Sequence, residues 1–348
     1  MKYHTPYLLF CSVLLLCLSC KKDSDNNHDF DIDSRLHIVG REDYVATYWH
    51  AGNVYRLGKS QVSSDANSLY ISGNDVYIVG YEMSSRGKYT AMLWKNNLPN
   101  WLTDGNEDAM ANGVAVVNSD VYVVGQRKLP NNDNWIATLW KNGEPISLSD
   151  PTITNANAYD IAVVGTDVYV IGESRILSDL SSKHVYWKNG ELSYLSNNEV
   201  GSGNQSITSS GNQVYMMWCG AYNSFGDSRV YYRDLVGSAK LLTDSPDDTR
   251  GEDIKVNGTD IYIAGWISNA QKNLQAAYWK NGNQTLVGPE NASSFGMAIA
   301  LSGNDIFVAG YVSVADKRSR AVYWKNGDIT YLSDGQYDAL VRRIWITP

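Results

Sequence analysis

Residues 113–125, GVAVVNSDVYVVG, contain two apolar β-runs joined by a polar turn, and the second run ends in glycine. The second run recurs along the chain as LHIVG (36–40), VYIVG (76–80), VYVVG (121–125), VYVIG (168–172), VYMMW (214–218), IYIAG (261–265) and IFVAG (306–310). Successive copies begin 40 to 47 residues apart, a period typical of repeat proteins with several strands in each unit. The chain therefore contains seven units, and the copy at 214–218 is degenerate because Trp218 replaces the glycine.

A second motif follows the first in every unit and predicts a β-hairpin. Its copies are YWHAG (48–52), LWKNN (93–97), LWKNG (139–143), YWKNG (186–190), YYRDL (231–235), YWKNG (278–282) and YWKNG (323–327). Asn-Gly between two β-runs indicates a type I′ turn, because both central residues need positive φ. Each unit also has a run before the first motif and a run behind the second, which makes four antiparallel strands. We therefore expect an all-β, seven-bladed β-propeller.

The two ends of the repeated region predict how the ring closes. The first unit begins at its second strand, near Leu36, and the chain ends in a spare first strand at residues 342–347. We expect this C-terminal strand to join blade one, with the propeller extending over residues 35–348. An open array would instead need capping repeats. A flat meander or a solenoid is the alternative.

The first 34 residues lie outside the repeats. Residues 1–19 contain an apolar run too short for a bilayer about 30 Å thick, and they predict a signal peptide. Ser19-Cys20 resembles the lipobox of bacterial lipoproteins, although Cys17 stands where leucine is usual. The resemblance implies cleavage before Cys20 and lipid on that residue, with residues 20–34 as a flexible tether. An ordinary signal peptide cut nearby is the alternative.

The tether begins Lys-Lys-Asp and continues with further acids, which is similar to surface-export signals of Bacteroidota lipoproteins. We expect a lipoprotein of the outer membrane, either exposed at the cell surface or facing the periplasm. Its contact with the membrane would be made by the N-terminal lipid.

The repeats themselves resemble two families. The WKNG motif followed by a short strand resembles the HAF-type repeats of bacterial extracellular proteins, and the paired inner strands resemble those of NHL-type propellers. Together the resemblances cover nearly all of residues 36–347 and imply the architecture, but no activity, because such propellers carry many unrelated functions. In NHL-like blades the tight turns build one face. The longer loops share the other face, where we expect the ligand.

Composition and motifs exclude several classes of function. The formal net charge of −8 argues against a nucleic-acid partner. The sequence has no HExxH, no G-x-S-x-G, no P-loop and no dinucleotide fingerprint. We expect no cofactor and no metal, while calcium on loop carboxylates stays open without EF-hand-like spacing.

Counting back from each first motif locates residues of the innermost strands near the central channel. Most of them are small, as expected where seven strands converge on one axis. The exceptions lie six and eight residues before the start of the first motif. They are charged or aromatic, and the charged ones would form a ring around the channel. Asp160, Asp253 and Lys255 are the first candidates for catalysis, and Tyr70, Arg343 and Trp345 are candidates for ligand binding.

The tryptophans of the second motif are expected to pack between blades, because a position needed by every unit is normally structural. Trp135, Trp218 and Trp266 are better ligand-binding candidates, since they break the repeat. Blade five departs furthest, with Tyr232-Arg233-Asp234 aligned to Trp-Lys-Asn. Its Cys219 is the only cysteine after Cys20, so no internal disulfide is expected, and it is interpreted as an inert packing residue.

Two functions remain. The leading hypothesis is a non-catalytic binding or scaffold propeller that recognises a glycan, a peptide or a protein partner. The alternative is a carbohydrate-active enzyme, a glycoside hydrolase or lyase, with its acids in the central funnel. The sequence favours binding over catalysis, because it contains no recognisable catalytic constellation.

Overall fold

The computed structural model describes residues 32–195, 204–221, 228–242, 248–268, 273–314 and 318–348. The predicted signal peptide, Cys20 and most of the tether lie outside these residues. Within the described ranges, seven four-stranded antiparallel sheets account for all the strands. The same ranges contain no helix that is long and apolar enough to cross a membrane.

The strands follow one another blade by blade. Blade one contains β28 (Ala339–Ile346), β1 (Leu36–Glu42), β2 (Val45–His50) and β3 (Asn53–Arg56). Blade two contains β4 (Ser64–Ser72), β5 (Asp75–Met83), β6 (Tyr89–Lys95) and β7 (Leu98–Trp101), and blade three contains β8 (Ala109–Val117), β9 (Asp120–Arg127), β10 (Ile136–Lys141) and β11 (Glu144–Ser147). Blade four contains β12 (Thr154–Val164), β13 (Asp167–Ile176), β14 (Ser182–Lys188) and β15 (Glu191–Tyr194), and blade five contains β16 (Gln205–Ser210), β17 (Gln213–Ala221), β18 (Ser228–Asp234) and β19 (Lys240–Leu241). Blade six contains β20 (Thr249–Asn257), β21 (Asp260–Ser268), β22 (Leu274–Lys280) and β23 (Asn283–Leu286), and blade seven contains β24 (Ser294–Ser302), β25 (Asp305–Ser313), β26 (Ser319–Lys325) and β27 (Asp328–Tyr331).

The ring is closed by the two ends of the chain. β28 pairs with β1 from Leu36 opposite Ile346 to Glu42 opposite Ala339. Each inner strand contacts the next one around the ring, including β28 with β4. The predicted seven-bladed propeller with a C-terminal closing strand is confirmed. The closing strand begins at Ala339 rather than at Arg342.

The two faces of the ring differ in their connections. Tight turns join the first strand of a blade to the second and the third to the fourth, and we call this side the turn face. The connections between second and third strands and between blades form the opposite side, the loop face. The chain enters β1 and leaves β28 at the turn face, where the Thr347 amide donates a hydrogen bond to the Arg35 carbonyl at 3.0 Å.

The Lys-Asn pair of the second motif fastens the turn face. In blade two, Asn96 Oδ1 accepts from the Val76 amide at 2.9 Å, and Asn96 Nδ2 donates to Asp75 at 2.8 Å. Lys95 Nζ lies 2.7 Å from the same carboxylate and above the ring of Tyr77. The asparagine and ion-pair contacts recur in blades three, four, six and seven. The motif therefore recurs because it connects the two turns of a blade.

The glycine that ends the first motif allows a close approach between two strands. A Cβ on Gly125 would lie 2.0 Å from the Met110 carbonyl oxygen. The φ of Gly125 is not positive, so the backbone conformation does not require glycine here. Glycine is required because the Met110 carbonyl oxygen lies too close for a side chain. Opposite it, the inner strand has a β-bulge, because the pairing skips Asn112 between Ala111 and Gly113.

The same combination of glycine and bulge is present in every blade except blade five. A Cβ on Gly40, Gly80, Gly172, Gly265 or Gly310 would likewise lie 1.8 to 2.1 Å from an inner-strand carbonyl oxygen. Each of these five blades also has the register shift. In blade five Trp218 replaces the glycine, and β16 pairs with β17 without a shift.

Blade five replaces the missing contacts with a different arrangement. Arg233 lies opposite Met216, at the register position that tryptophan occupies in the other blades. The predicted alignment of Tyr232 with that tryptophan is therefore wrong by one residue. The Arg233 side chain donates to backbone carbonyls, while Trp218 is fully buried between blades four and five. The core tryptophan is thus supplied by the second strand instead of the third.

The bulge geometry predicts the effect of adding one methyl group. We expect Gly125→Ala to lower the free energy of unfolding by roughly 2–3 kcal/mol, because the Cβ overlaps a backbone oxygen that cannot move independently. The matched control is Gly165→Asn, at an open turn position with φ of 60°, whose counterpart Asn118 in blade three has φ of 49°. This control should change stability by less than about 1 kcal/mol. Equal losses in urea denaturation would contradict the close-approach explanation.

Candidate functional site: the central channel

Three of the sequence-predicted channel residues meet in one buried cluster. Arg343 Nη1 lies 2.8 Å from Asp253 Oδ1, and Arg343 Nη2 lies 2.9 Å from Asp160 Oδ2. The hydroxyl of Ser206 is 3.0 Å from Asp160 and 2.9 Å from Asp253. Blades one, four, five and six are therefore joined across the channel, and we call these four residues the central cluster.

The carboxylates of the central cluster have further partners. Asp160 accepts from the amides of Ile161 and Ile207, and Asp253 accepts from the amide of Ile299 at 3.0 Å. Burial raises the pKa of Asp253, but the positive charges of Lys255 and Arg343 outweigh it and hold that pKa below its usual value. Every carboxylate oxygen of the cluster is engaged. Because these oxygens already have protein partners, the pair is not presented to a substrate for acid–base work.

The central cluster divides the channel into two cavities. A cavity of about 530 Å³ lies toward the turn face and is named the turn cavity. A second cavity, of about 340 Å³, lies toward the loop face and is named the loop funnel. Arg343 lines both. Both volumes are within the range of small-molecule sites.

The wall of the loop funnel is built from the bulges of the inner strands. Six blades contribute the bulged residue, and blade five contributes the residue just before β16. These residues are Arg342, Asn67, Asn112, Tyr159, Asn204, Glu252 and Met297, in order from blade one to blade seven. Counting residues along the strand missed this ring, because a bulge inserts one residue into the alternation. The glycine that ends the first motif recurs inside a strand, where no turn requires it. This was the signal that could have located the bulges.

Neighbouring bulge side chains are connected to one another. Asn67 Nδ2 donates to the Ala111 carbonyl at 2.9 Å, and Asn112 Nδ2 donates to the Ala158 carbonyl at 2.8 Å. Each asparagine thus holds the next blade, which fixes the position of its amide group. The funnel wall is preorganised on strands rather than on loops.

Asp65 is the most deeply buried carboxylate of the loop funnel, at 1 % exposure. Its Oδ2 lies 2.9 Å from Arg342 Nη2 and 3.8 Å from Arg41 Nη1. Among the described residues, its Oδ1 has no hydrogen-bond partner. A buried oxygen left in this state is unfavourable, so a ligand that brings a donor to it would bind with a gain in free energy.

Glu252 supplies a second carboxyl group to the funnel. Burial raises the pKa of Glu252 to about 7, although hydrogen bonds from Trp266 and Asn204 and the charge of Arg342 act in the opposite direction. Near neutral pH this group is present in both its protonated and its ionised form. It can therefore either donate or accept a hydrogen bond at physiological pH.

Trp266 belongs to an aromatic wall beside Glu252. Its ring packs edge-on against Phe295 with centroids 5.7 Å apart, and Phe295 stacks on Tyr311 at 4.7 Å. Arg250 lies above the same indole at 5.3 Å. Trp266 thus positions Glu252 and is itself largely covered.

The remaining predicted aromatic residues lie in different places. Tyr70 and Trp345 pack together with centroids 4.8 Å apart and line the turn cavity. Trp135 lies before β10 with Lys128 5.1 Å above its ring, and Trp218 is buried against Tyr231. Neither Trp135 nor Trp218 is among the residues that line the two cavities. The tryptophans of the second motif, Trp49, Trp94, Trp140, Trp187, Trp279 and Trp324, are all fully buried.

Other chemical groups in the described ranges add little to the site. Burial raises the pKa of Cys219 to about 12, so its side chain is a thiol at neutral pH, and Sγ contacts the Gly251 carbonyl. Across those ranges, no three or more His, Cys, Asp or Glu side chains are grouped so as to hold a metal ion.

Comparison with known proteins extends the description of the fold. No family model matches the sequence, and no curated protein matches it. An acylaminoacyl peptidase solved with Z-Gly-Gly-Phe-chloromethyl ketone is 12 % identical, with a TM-score of 0.54 over 87 % of this chain and 51 % of that one. The acylaminoacyl peptidase of Pyrococcus horikoshii is 13 % identical, with a TM-score of 0.51 over 86 % of this chain and 51 % of that one.

A third similar structure corresponds to the propeller alone. The β-propeller domain of the Trilobed protease from Pyrococcus furiosus is 12 % identical, with a TM-score of 0.50 over 88 % of this chain and 96 % of that one. That propeller is described as having an open velcro topology, whereas β28 and β1 close the ring here. The present chain spans about half the length of the two peptidases. These similarities show the shared fold alone.

The central cluster predicts a large effect on stability. We expect Arg343→Met to lower the free energy of unfolding by about 3–5 kcal/mol, because two buried carboxylates lose their common counter-ion. The triple variant Asp160→Asn, Asp253→Asn, Arg343→Met should regain much of that loss, since it buries no unpaired charge. Thermal unfolding followed by circular dichroism would measure both. A triple variant no more stable than Arg343→Met would contradict the charge explanation.

Proposed function

We propose that this protein is a non-catalytic binding propeller of the cell envelope, anchored by lipid on Cys20, and that it binds a glycan in the loop funnel. The observation that carries the proposal is the ring of bulge side chains, which places unlike polar groups at one repeated backbone position. A position that served packing alone would hold similar residues in each blade, as the tryptophan position nearly does.

The chemistry of the ring suits a polyhydroxylated ligand. Sugar hydroxyls both donate and accept hydrogen bonds. The funnel offers amide, carboxyl and phenol groups that between them do both, and guanidinium groups that donate. A hydroxyl donated to Asp65 Oδ1 would satisfy the buried oxygen that has no partner among the described residues. Arg342, beside Asp65, is a hydrogen-bond donor only, and it could donate to a ring oxygen or a glycosidic oxygen of the sugar.

The central cluster supports binding rather than catalysis by the acids that the sequence first suggested. Asp160 and Asp253 share the guanidinium of Arg343 and the hydroxyl of Ser206. Each of their carboxylate oxygens already has a partner in the protein. General acid–base work requires a group that exchanges its proton with the substrate. This supports a scaffold role for both residues.

One observation favours the second candidate function, a carbohydrate-active enzyme. Glu252 has a pKa of about 7 and lines the same funnel as Asp65. Glycoside hydrolysis employs two carboxyl groups in one site, one of which is kept protonated near neutral pH. The enzyme hypothesis therefore moves from Asp160 and Asp253 to Glu252 and Asp65.

A glycan array tests the proposed function. The purified protein should bind a restricted set of saccharides. Asp65→Asn should lower the affinity for the best-bound saccharide at least tenfold, because the amide has one acceptor oxygen where the carboxylate has two. Asp328→Asn, an exposed aspartate of the outer strand β27, is the matched control and should bind as the wild type does. Absence of binding to any saccharide would overturn the glycan assignment.

Product analysis of the same hit separates binding from catalysis. A binding propeller leaves the saccharide intact from pH 5 to pH 9. An enzyme that uses Glu252 as its acid would release product, would lose activity above pH 7 as the carboxyl ionises, and would be inactivated by Glu252→Gln with binding retained. Release of product with that profile would replace the non-catalytic proposal.

The anchor is tested separately. Cys20→Ser should abolish incorporation of labelled palmitate and move the protein from the membrane fraction to the soluble fraction. Cys11→Ser, in the apolar run and outside the lipobox, is the control and should retain both label and membrane association. Unchanged labelling of Cys20→Ser would contradict lipidation at this residue.

A further inference from the structure

The turn cavity is a separate space from the loop funnel. It has a volume of about 530 Å³ and is bounded on its inner side by Arg343 and Asp160 of the central cluster. The inner strands form its walls, and their tight turns surround its mouth. A ligand in this cavity would approach from the turn face and would not contact the bulge ring.

The walls of the turn cavity are asymmetric, although they occupy one register level of the repeat. At this level the inner strands carry Trp345, Tyr70, Ala115, Ala162, Thr208, Lys255 and Ala300, in order from blade one to blade seven. The three alanines leave the space open. The two aromatic residues stand on adjacent blades, one and two, and Lys255 stands on blade six, two blades from Trp345 and three from Tyr70.

The aromatic pair forms one wall. The rings of Tyr70 and Trp345 have centroids 4.8 Å apart and are tilted by 54°. Burial raises the pKa of Tyr70 above its ordinary value. A flat ring system can pack against this wall, because aromatic faces favour offset or tilted contacts.

The ammonium group of Lys255 belongs to a second wall, on blade six. Its side chain is 30 % exposed, and Nζ makes one 3.3 Å contact, to Asp253 Oδ1. That oxygen already receives Arg343 at 2.8 Å and Ser206 at 2.9 Å. Lys255 is therefore the most weakly held member of this charge network, and it has N–H donors to offer to a ligand. The Thr208 hydroxyl lies on the neighbouring blade at the same level.

We propose that the turn cavity binds a small organic anion that carries a planar ring. The ring packs on Tyr70 and Trp345, and the acid group accepts a charge-assisted hydrogen bond from Lys255. The three alanines provide the room that the ligand occupies. This site is independent of the glycan site in the loop funnel.

A matched pair of probes tests the proposal on the full-length protein in a nonionic detergent. Indole-3-acetate and tryptophol share the same ring and differ in a carboxylate against a hydroxyl. Isothermal titration at pH 7.5 should show one saturable site for indole-3-acetate and at least tenfold weaker binding of tryptophol. Absence of saturable indole-3-acetate binding, or equal affinity for the two probes, would overturn the proposal.

Variants assign the two walls. Lys255→Met should weaken indole-3-acetate at least tenfold and remove the preference over tryptophol, whereas Lys240→Met, an exposed lysine of β19, should change neither. Trp345→Leu should lower the affinity for both probes by the same factor. If Trp345→Leu fails to fold, Tyr70→Leu is measured in its place. Thermal unfolding establishes that each variant is native. Wild-type affinity in folded Lys255→Met would overturn the proposal.

Discussion

In six of the seven blades, a carbonyl oxygen of the inner strand lies where the Cβ of any residue other than glycine would stand. Glycine allows this close approach of the inner strand to the second strand, and at the same place one inner-strand residue leaves the pairing as a β-bulge. The bulged side chains then point into the channel and form the loop funnel. Blade five, which has Trp218 in place of glycine, pairs without a bulge and obtains its core tryptophan from the second strand.

The fold was largely predictable because the periodicity is carried by residues with strict backbone or packing requirements. Asn-Gly turns, buried tryptophans and the terminal glycine each recur at one place in a blade, so counting them locates the strands. The channel was predictable only in part. Counting brought Asp160, Asp253 and Arg343 to the axis, but their mutual pairing joins blades that are far apart in sequence. The bulge ring was missed because alternation along a strand contains no mark of an inserted residue.

The central cluster gives the channel two chemically different halves. Toward the loop face lie amides, carboxyls and Arg342, with a carboxyl oxygen of Asp65 that has no partner within the described ranges. Toward the turn face lie alanines, an aromatic pair and one ammonium group. Arg343 contributes to both halves while its charge is balanced by two aspartates. A ring of similar blades thus presents two cavities whose chemistry comes from the few positions that the repeat leaves variable.

The chain enters and leaves the ring at the turn face, and this has a mechanical consequence. A force applied at residue 32 reaches β1 through the turn at residues 33–36, and the two edges of β1 are bonded to β2 and β28. The hydrogen bonds on both sides are then loaded together in shear, so no single bond carries the whole load. An attachment through an outer strand such as β3, which has one bonded edge, would instead peel the blade bond by bond. β1, the partner of the closing strand β28, therefore bears tension along both of its edges.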